Sequence, residues 1–182
     1  MFIKRQNKNP AYFFPDDSGQ QQLTQRLTLE IKKRKNVWEP LILLCIGTDK
    51  ITGDCLGPLA GSKLKERGFP YPVYGTLEHP VHALNLPHTI SALHKIYTRP
   101  FLLTVDAAVG PADRIGCVSL SPRPVLPGQG IRRPLSPVGS LSLTGIVAES
   151  SKNCADMLPY TRLFMVNQLA ELICGAVMQG VR

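Results

Sequence analysis

The sequence predicts a three-layer α/β/α sandwich built on a mostly parallel sheet with mixed edges. Two continuous apolar runs carry most of that expectation. Leu41–Gly47 follows Pro40, and Phe101–Val105 follows Pro100. Runs of that kind suit strands buried on both faces of a parallel sheet. The third observation is order: helical patterns stand before, between and after the apolar runs, and two further strands and a helix close the chain.

Taken in turn, Gln20–Lys35 places Leu23, Leu27 and Ile31 four apart with charges elsewhere, which predicts a helix. Leu41–Gly47 is the first strand, and Leu56, Leu59, Ala60 and Leu64 then mark one face of a helix ending at Gly68. Val73–Thr76 is a short second strand, and His88–Tyr97 is a helix with Ile90, Leu93 and His94 on one side. Phe101–Asp106 is the third strand. Ile115–Leu120 and Leu141–Val147 alternate as strands do, and Tyr160–Met178, with Pro159 at its start, is the last helix. The Pro/Gly-rich stretch Ser121–Gly139 reads as a long loop of a kind that is often functional. Residues Met1–Gly19 show no period and read as a mobile or loosely docked arm, leaving 20–182 as one domain.

With 182 residues, the chain fits one domain with a sizeable core. A hydrophobic fraction of 43% and a charged fraction of 19% exclude disorder. The formal charge of +8 favours acidic partners but says nothing about fold. Lys32–Lys35 and Lys63–Lys65 lack interleaved aromatics, so they read as solvated helix faces and not as a nucleic-acid surface. Five cysteines without a CxxC pair point to a reducing compartment. The start of the chain lacks a signal-peptide core, and Leu163–Val177 is interrupted by Asn167, Gln168 and Glu171. No membrane association and a cytoplasmic location are therefore expected. Oligomeric state is left open, a homo-oligomer included.

In parallel sheets, ligands bind beyond the carboxyl ends of the strands. Gly47–Pro58, Gly75–Pro80 and Asp106–Gly110 all fall there, so Asp54 and Asp106 are expected to face each other across that rim. Two carboxylates in a partly dry site cannot both ionise freely: one keeps a proton while the other can act as a base. The same pair with His79 or Glu78 could instead hold a divalent metal. Asp54 also fits a helix N-cap ahead of Pro58, and Asp106 fits a turn cap or a partner for a cation. Asp49 suits an Asx-turn. Cys55, at a helix start, reads as a small buried residue, and Ser140, Ser142 and Ser150 as solvent-face or loop hydrogen-bonders. Glycines 47, 53 and 57 form no GxGxxG, and there is no GK[ST], which disfavours nucleotides. The four histidines lack metal-ligand spacing.

Leu44–Asp49 with Thr52–Pro58, Val73–Leu77 with His79–Asn85, Thr104–Ala107, Pro137–Gly139 and Thr144–Val147 together resemble the YyaC-type sporulation proteins of endospore-forming bacteria. The likeness covers roughly Leu41–Glu149. Those proteins are in turn similar to the spore germination protease and the hydrogenase maturation proteases, which share a three-layer α/β fold. By that resemblance Asp54 and Asp106 match the germination protease's aspartate-based pair. In the maturation proteases the equivalent acids contact nickel with a histidine that would fall near Ser136-Pro137-Val138, where this chain has none. No cofactor is therefore expected, and a divalent metal is disfavoured.

The resemblance implies an endopeptidase acting on a spore protein in the forespore or mother cell. Asp54 and Asp106 would activate water and protonate the leaving amine. Thr76, Glu78, His79 and Gly139 would line the substrate site. The alternative is a non-catalytic spore protein that keeps the fold and binds a peptide or partner chain.

Overall fold

The computed structural model describes residues 10–127, 135–150 and 157–181. Its centre is a six-stranded sheet: β1 (Ala11–Phe13), β2 (Leu41–Cys45), β3 (Val73–Tyr74), β4 (Phe101–Gly110), β5 (Val118–Ser121) and β6 (Leu141–Glu149). In space they run β1-β5-β6-β4-β2-β3. β3, β2, β4 and β6 are mutually parallel, whereas β5 and β1 add antiparallel strands at one edge.

Among the described residues the α-helices are α1 (Asp17–Arg34), α2 (Leu56–Glu66), α3 (Leu86–Ile96) and α4 (Leu163–Gly180). Strand alternation assigns the layers. Leu41, Leu43 and Cys45 of β2 pack with Leu103 and Val105 of β4 and Leu141 and Leu143 of β6 against α1, α2 and α4. Ile42, Leu44 and Ile46 pack on the opposite face with Leu86 and Leu93 of α3. Every residue of β2 is buried, which is why its sequence is uniformly apolar and not alternating. Each leucine fully buried in this way is worth roughly 1.5–3 kcal/mol.

Local chemistry sets the helix ends. Asp16 caps α1 by accepting from the Gly19 amide at 2.7 Å, and Lys32, Lys33 and Arg34 occupy its last turn, where the helix dipole favours cations. Glu30 is buried on α1 but held at 3.0 Å by Arg26 and at 2.9 Å by Arg34. α4 is long and apolar enough to cross a bilayer by composition alone. Its Val166, Leu169, Ile173 and Val177 belong to the main core.

Several expectations are corrected. Part of the N-terminal arm is structured: Ala11–Phe13 pairs with Val118–Leu120, and Phe13 joins the core. Met1–Asn9 lie outside the described residues. α1 begins at Asp17, before Gln20, because Asp16 supplies the cap. The third core strand continues four residues beyond Asp106, to Gly110, because β6 pairs along its whole extension. α3 starts at Leu86, with Pro87 in its first turn, and α4 starts at Leu163, after a separate 3-10 turn at Leu158–Tyr160. Within Ser121–Gly139, Val125 and Val138 form a two-way backbone bridge, and residues 128–134 lie outside the description.

Candidate active site

β2 and β4 lie side by side with Cys45 level with Val105, and the Ile46 amide donates to the Val105 carbonyl at 2.7 Å. Asp106 is the next residue of β4. The chain leaving β2 turns at Gly47 and forms a 3-10 turn, Thr52–Asp54, that packs on β4 before α2 begins. Asp106 therefore stands just past the level at which β2 ends, with β4 running on to Gly110, and Asp54 lies in the turn that follows β2.

Asp54 is held by the backbone, not by a cation. The Thr48 amide donates to its carbonyl oxygen and to its Oδ2, each at 3.1 Å. Gly47 makes this return possible. Its φ is +140, and a Cβ there would sit 2.0 Å from the Asp54 carbonyl oxygen. On its other side the turn meets the C-terminal segment: a Cβ on Gly53 would come within 2.7 Å of the Leu158 carbonyl oxygen and of Thr161 Oγ1. Asp54 is not the cap of α2, whose N-cap is Cys55 without a side-chain hydrogen bond.

Asp106 Oδ1 accepts from the Ala107 amide at 2.9 Å. Among the described residues neither acid makes a salt bridge. Burial lifts Asp54 from 3.8 to about 6, against the opposing pull of the Thr48 amide. Burial lifts Asp106 well above the carboxylate range, and the Asp54 charge raises it further. The Asp54 charge beside it favours the protonated form of Asp106. One base and one proton donor at neutral pH are what hydrolysis of an amide needs.

The other predicted site residues are placed differently. Thr76 is buried and closes a turn with His79: its amide donates to the His79 carbonyl and its Oγ1 accepts from the His79 amide, both at 3.1 Å. Glu78 and His79 project into solvent, 3.8 Å from each other. Their loop is tied to the rim through the parallel bridge between Ile46 and Val81. Gly139, with φ +108, enters β6 against Thr104, two residues before Asp106; a Cβ there would lie 2.7 Å from Thr104 Cγ2. Among the described residues no three His, Cys, Asp or Glu side chains form a group able to hold a metal ion, so His79 is not assembled with the two acids. Cys55 is buried, and burial, Asp54 and Asp49 push its thiol up, which disfavours a thiolate.

Two smaller expectations change. The first loop uses Thr48 Oγ1, accepting from the Lys50 amide at 3.4 Å, where Asp49 was expected to make the turn. Ser142 is buried and donates to the carbonyls of Ser121 and Arg123. The Thr48 amide was not foreseen as the partner of Asp54. A glycine directly after an apolar strand was the available signal, but the backbone return it permits is not written in side chains.

A crystal structure of a NiFe hydrogenase maturation protease HycI from Thermococcus kodakarensis KOD1 is similar over 83% of this chain and 97% of that one, with 18% identity and a TM-score of 0.44. The uncharacterized protein YyaC of Bacillus subtilis (strain 168) is 40% identical over 141 residues, which are 77% of this chain and 69% of that protein. Residues 12–176 match the model of one family, and the chain thus belongs to the family described as protein of unknown function DUF1256.

Proposed function

We propose that the chain is an aspartate-dependent peptidase that hydrolyses a peptide bond in a protein substrate. The observation that carries this reading is the pair Asp54 and Asp106: two acids that make no salt bridge among the described residues, one in the turn after β2 and one on β4 just past the end of β2, both raised by burial and with the Asp54 charge acting on Asp106. Asp54 takes a proton from water as its oxygen bonds to the substrate carbonyl carbon. The carbon–nitrogen bond then breaks, and Asp106 supplies the proton that leaves with the amine. Transfer of the captured proton from Asp54 to Asp106 restores the starting state. The sporulation setting belongs to the same proposal and rests on the motif resemblance, with the Bacillus subtilis relative in support.

The test is N-terminal labelling and mass spectrometry of a spore-protein extract incubated with the purified chain. New termini are expected with the native protein and a loss of at least a hundredfold with Asp54→Asn or Asp106→Asn. Cleavage that survives both substitutions, or none with the native chain, overturns the peptidase. Binding of an extract protein that survives Asp106→Asn, without cleavage, would establish the non-catalytic alternative.

A further inference from the structure

The face of the sheet that carries Asp106 changes character from one side to the other. Across β2 it is apolar and covered by α3. Past Leu102, which joins that apolar cluster, the face carries polar side chains across β4, β6, β5 and β1. The residues directed to the opposite face on these strands are Leu103 and Val105, Leu141 and Leu143, Val118 and Leu120, and Ala11 and Phe13. Alternation therefore turns Asp106, Thr144, Ser119 and Tyr12 to the Asp106 side. Register makes them one row: Asp106 is level with Thr144, Thr144 with Ser119, and Ser119 with Tyr12.

The row nearer the start of β4 is already committed. Thr104 Oγ1 donates to the Leu141 carbonyl at 3.3 Å, and Ser142 Oγ to the carbonyls of Ser121 and Arg123. Thr144 differs. It is partly open to solvent, and its hydroxyl has no hydrogen-bond partner among the described residues. Its neighbour Asp106 is also partly open and has one oxygen, Oδ1, engaged by the Ala107 amide. Neighbouring strands lie about 4.8 Å apart, which brings side chains on the same face at one level within interacting range.

We propose that Thr144 is a positioning residue of the aspartate site: its hydroxyl donates to the Asp106 carboxyl and fixes which oxygen carries the proton. This rests on the peptidase reading for its purpose, but not for its test. A donor on one carboxyl oxygen leaves the proton on the other. Asp106 faces Thr144 from β6 and Asp54 from the Thr52–Asp54 turn, and Asp54 is the charge that acts on it.

The experiment is a carbon-13 NMR titration of the Asp106 carboxyl in the native chain, Thr144→Val, Thr144→Ser, Thr144→Ala and Asp54→Asn. Loss of a donor to the ionised form raises the midpoint, so Thr144→Val should shift it up by about one pH unit. Thr144→Ser should titrate as the native chain does. Thr144→Ala reads the same loss if the valine variant does not fold. An unchanged midpoint in the folded valine or alanine variant, or an equal shift in Thr144→Ser, overturns the role of Thr144. Asp54→Asn should lower the midpoint. If it does not, the acids are not a pair and the peptidase reading fails, whatever Thr144 does.

Discussion

The Thr48 amide meets both the carbonyl oxygen and the Oδ2 of Asp54 at 3.1 Å, so one backbone donor sets the turn and aims its acid. This geometry depends on Gly47, because a side chain there would occupy the space of the Asp54 carbonyl oxygen. Gly47→Ala combines a left-handed φ with a backbone clash and should cost at least about 3 kcal/mol. Urea unfolding measures the loss, and a variant as stable as the native chain would refute this account of the turn.

Both acids are raised in the folded state. Such a group favours folding fully below its unfolded value, and that contribution is lost as pH rises through its folded value. For Asp54 the window runs from 3.8 to about 6, and for Asp106 it extends further upward. Asp54→Asn should therefore stabilise the chain at pH 8. The rise from 3.8 to about 6, at about 1.4 kcal/mol per unit, sets a gain of up to about 3 kcal/mol. At pH 3.5 the gain should vanish. Paired urea melts at the two pH values check the sign.

In the proposed mechanism Asp54 works without its proton and Asp106 with one. The rate should rise through about pH 6 as Asp54 ionises and fall on the alkaline side as Asp106 ionises. In Asp54→Asn the acid limb should disappear together with most of the rate. A profile flat between pH 5 and 8 would contradict the assignment of base and acid.

Glu171 of α4 binds Lys63 at 2.8 Å and Arg67 at 2.5 Å, joining α4 to α2 and its C-terminal cap. All three side chains meet solvent, so the contact is screened and Glu171→Ala should cost no more than about 1 kcal/mol. Leu169→Ala, a few residues away on the buried face of α4, should cost about 2–5 kcal/mol. Thermal melts at low and high salt separate the two, since the glutamate effect alone should shrink with salt.

Much of the fold was legible because burial on both sides of a parallel strand demands a long apolar run, as at Leu41–Cys45 and Phe101–Val105. That β4 runs on four residues past Asp106 was not legible, because pairing with β6 decides it. The edge strand Ala11–Phe13 was not either, since three residues carry no periodicity and their pairing partner lies a hundred residues away at Val118–Leu120.

What the sequence determined by itself was the layered architecture, since burial and period are local properties of composition. Tertiary structure decided the proton affinities, the backbone grip of Thr48 on Asp54 and the alignment of Thr144 beside Asp106. Those depend on desolvation and register, which arise only when strands distant in sequence are brought side by side.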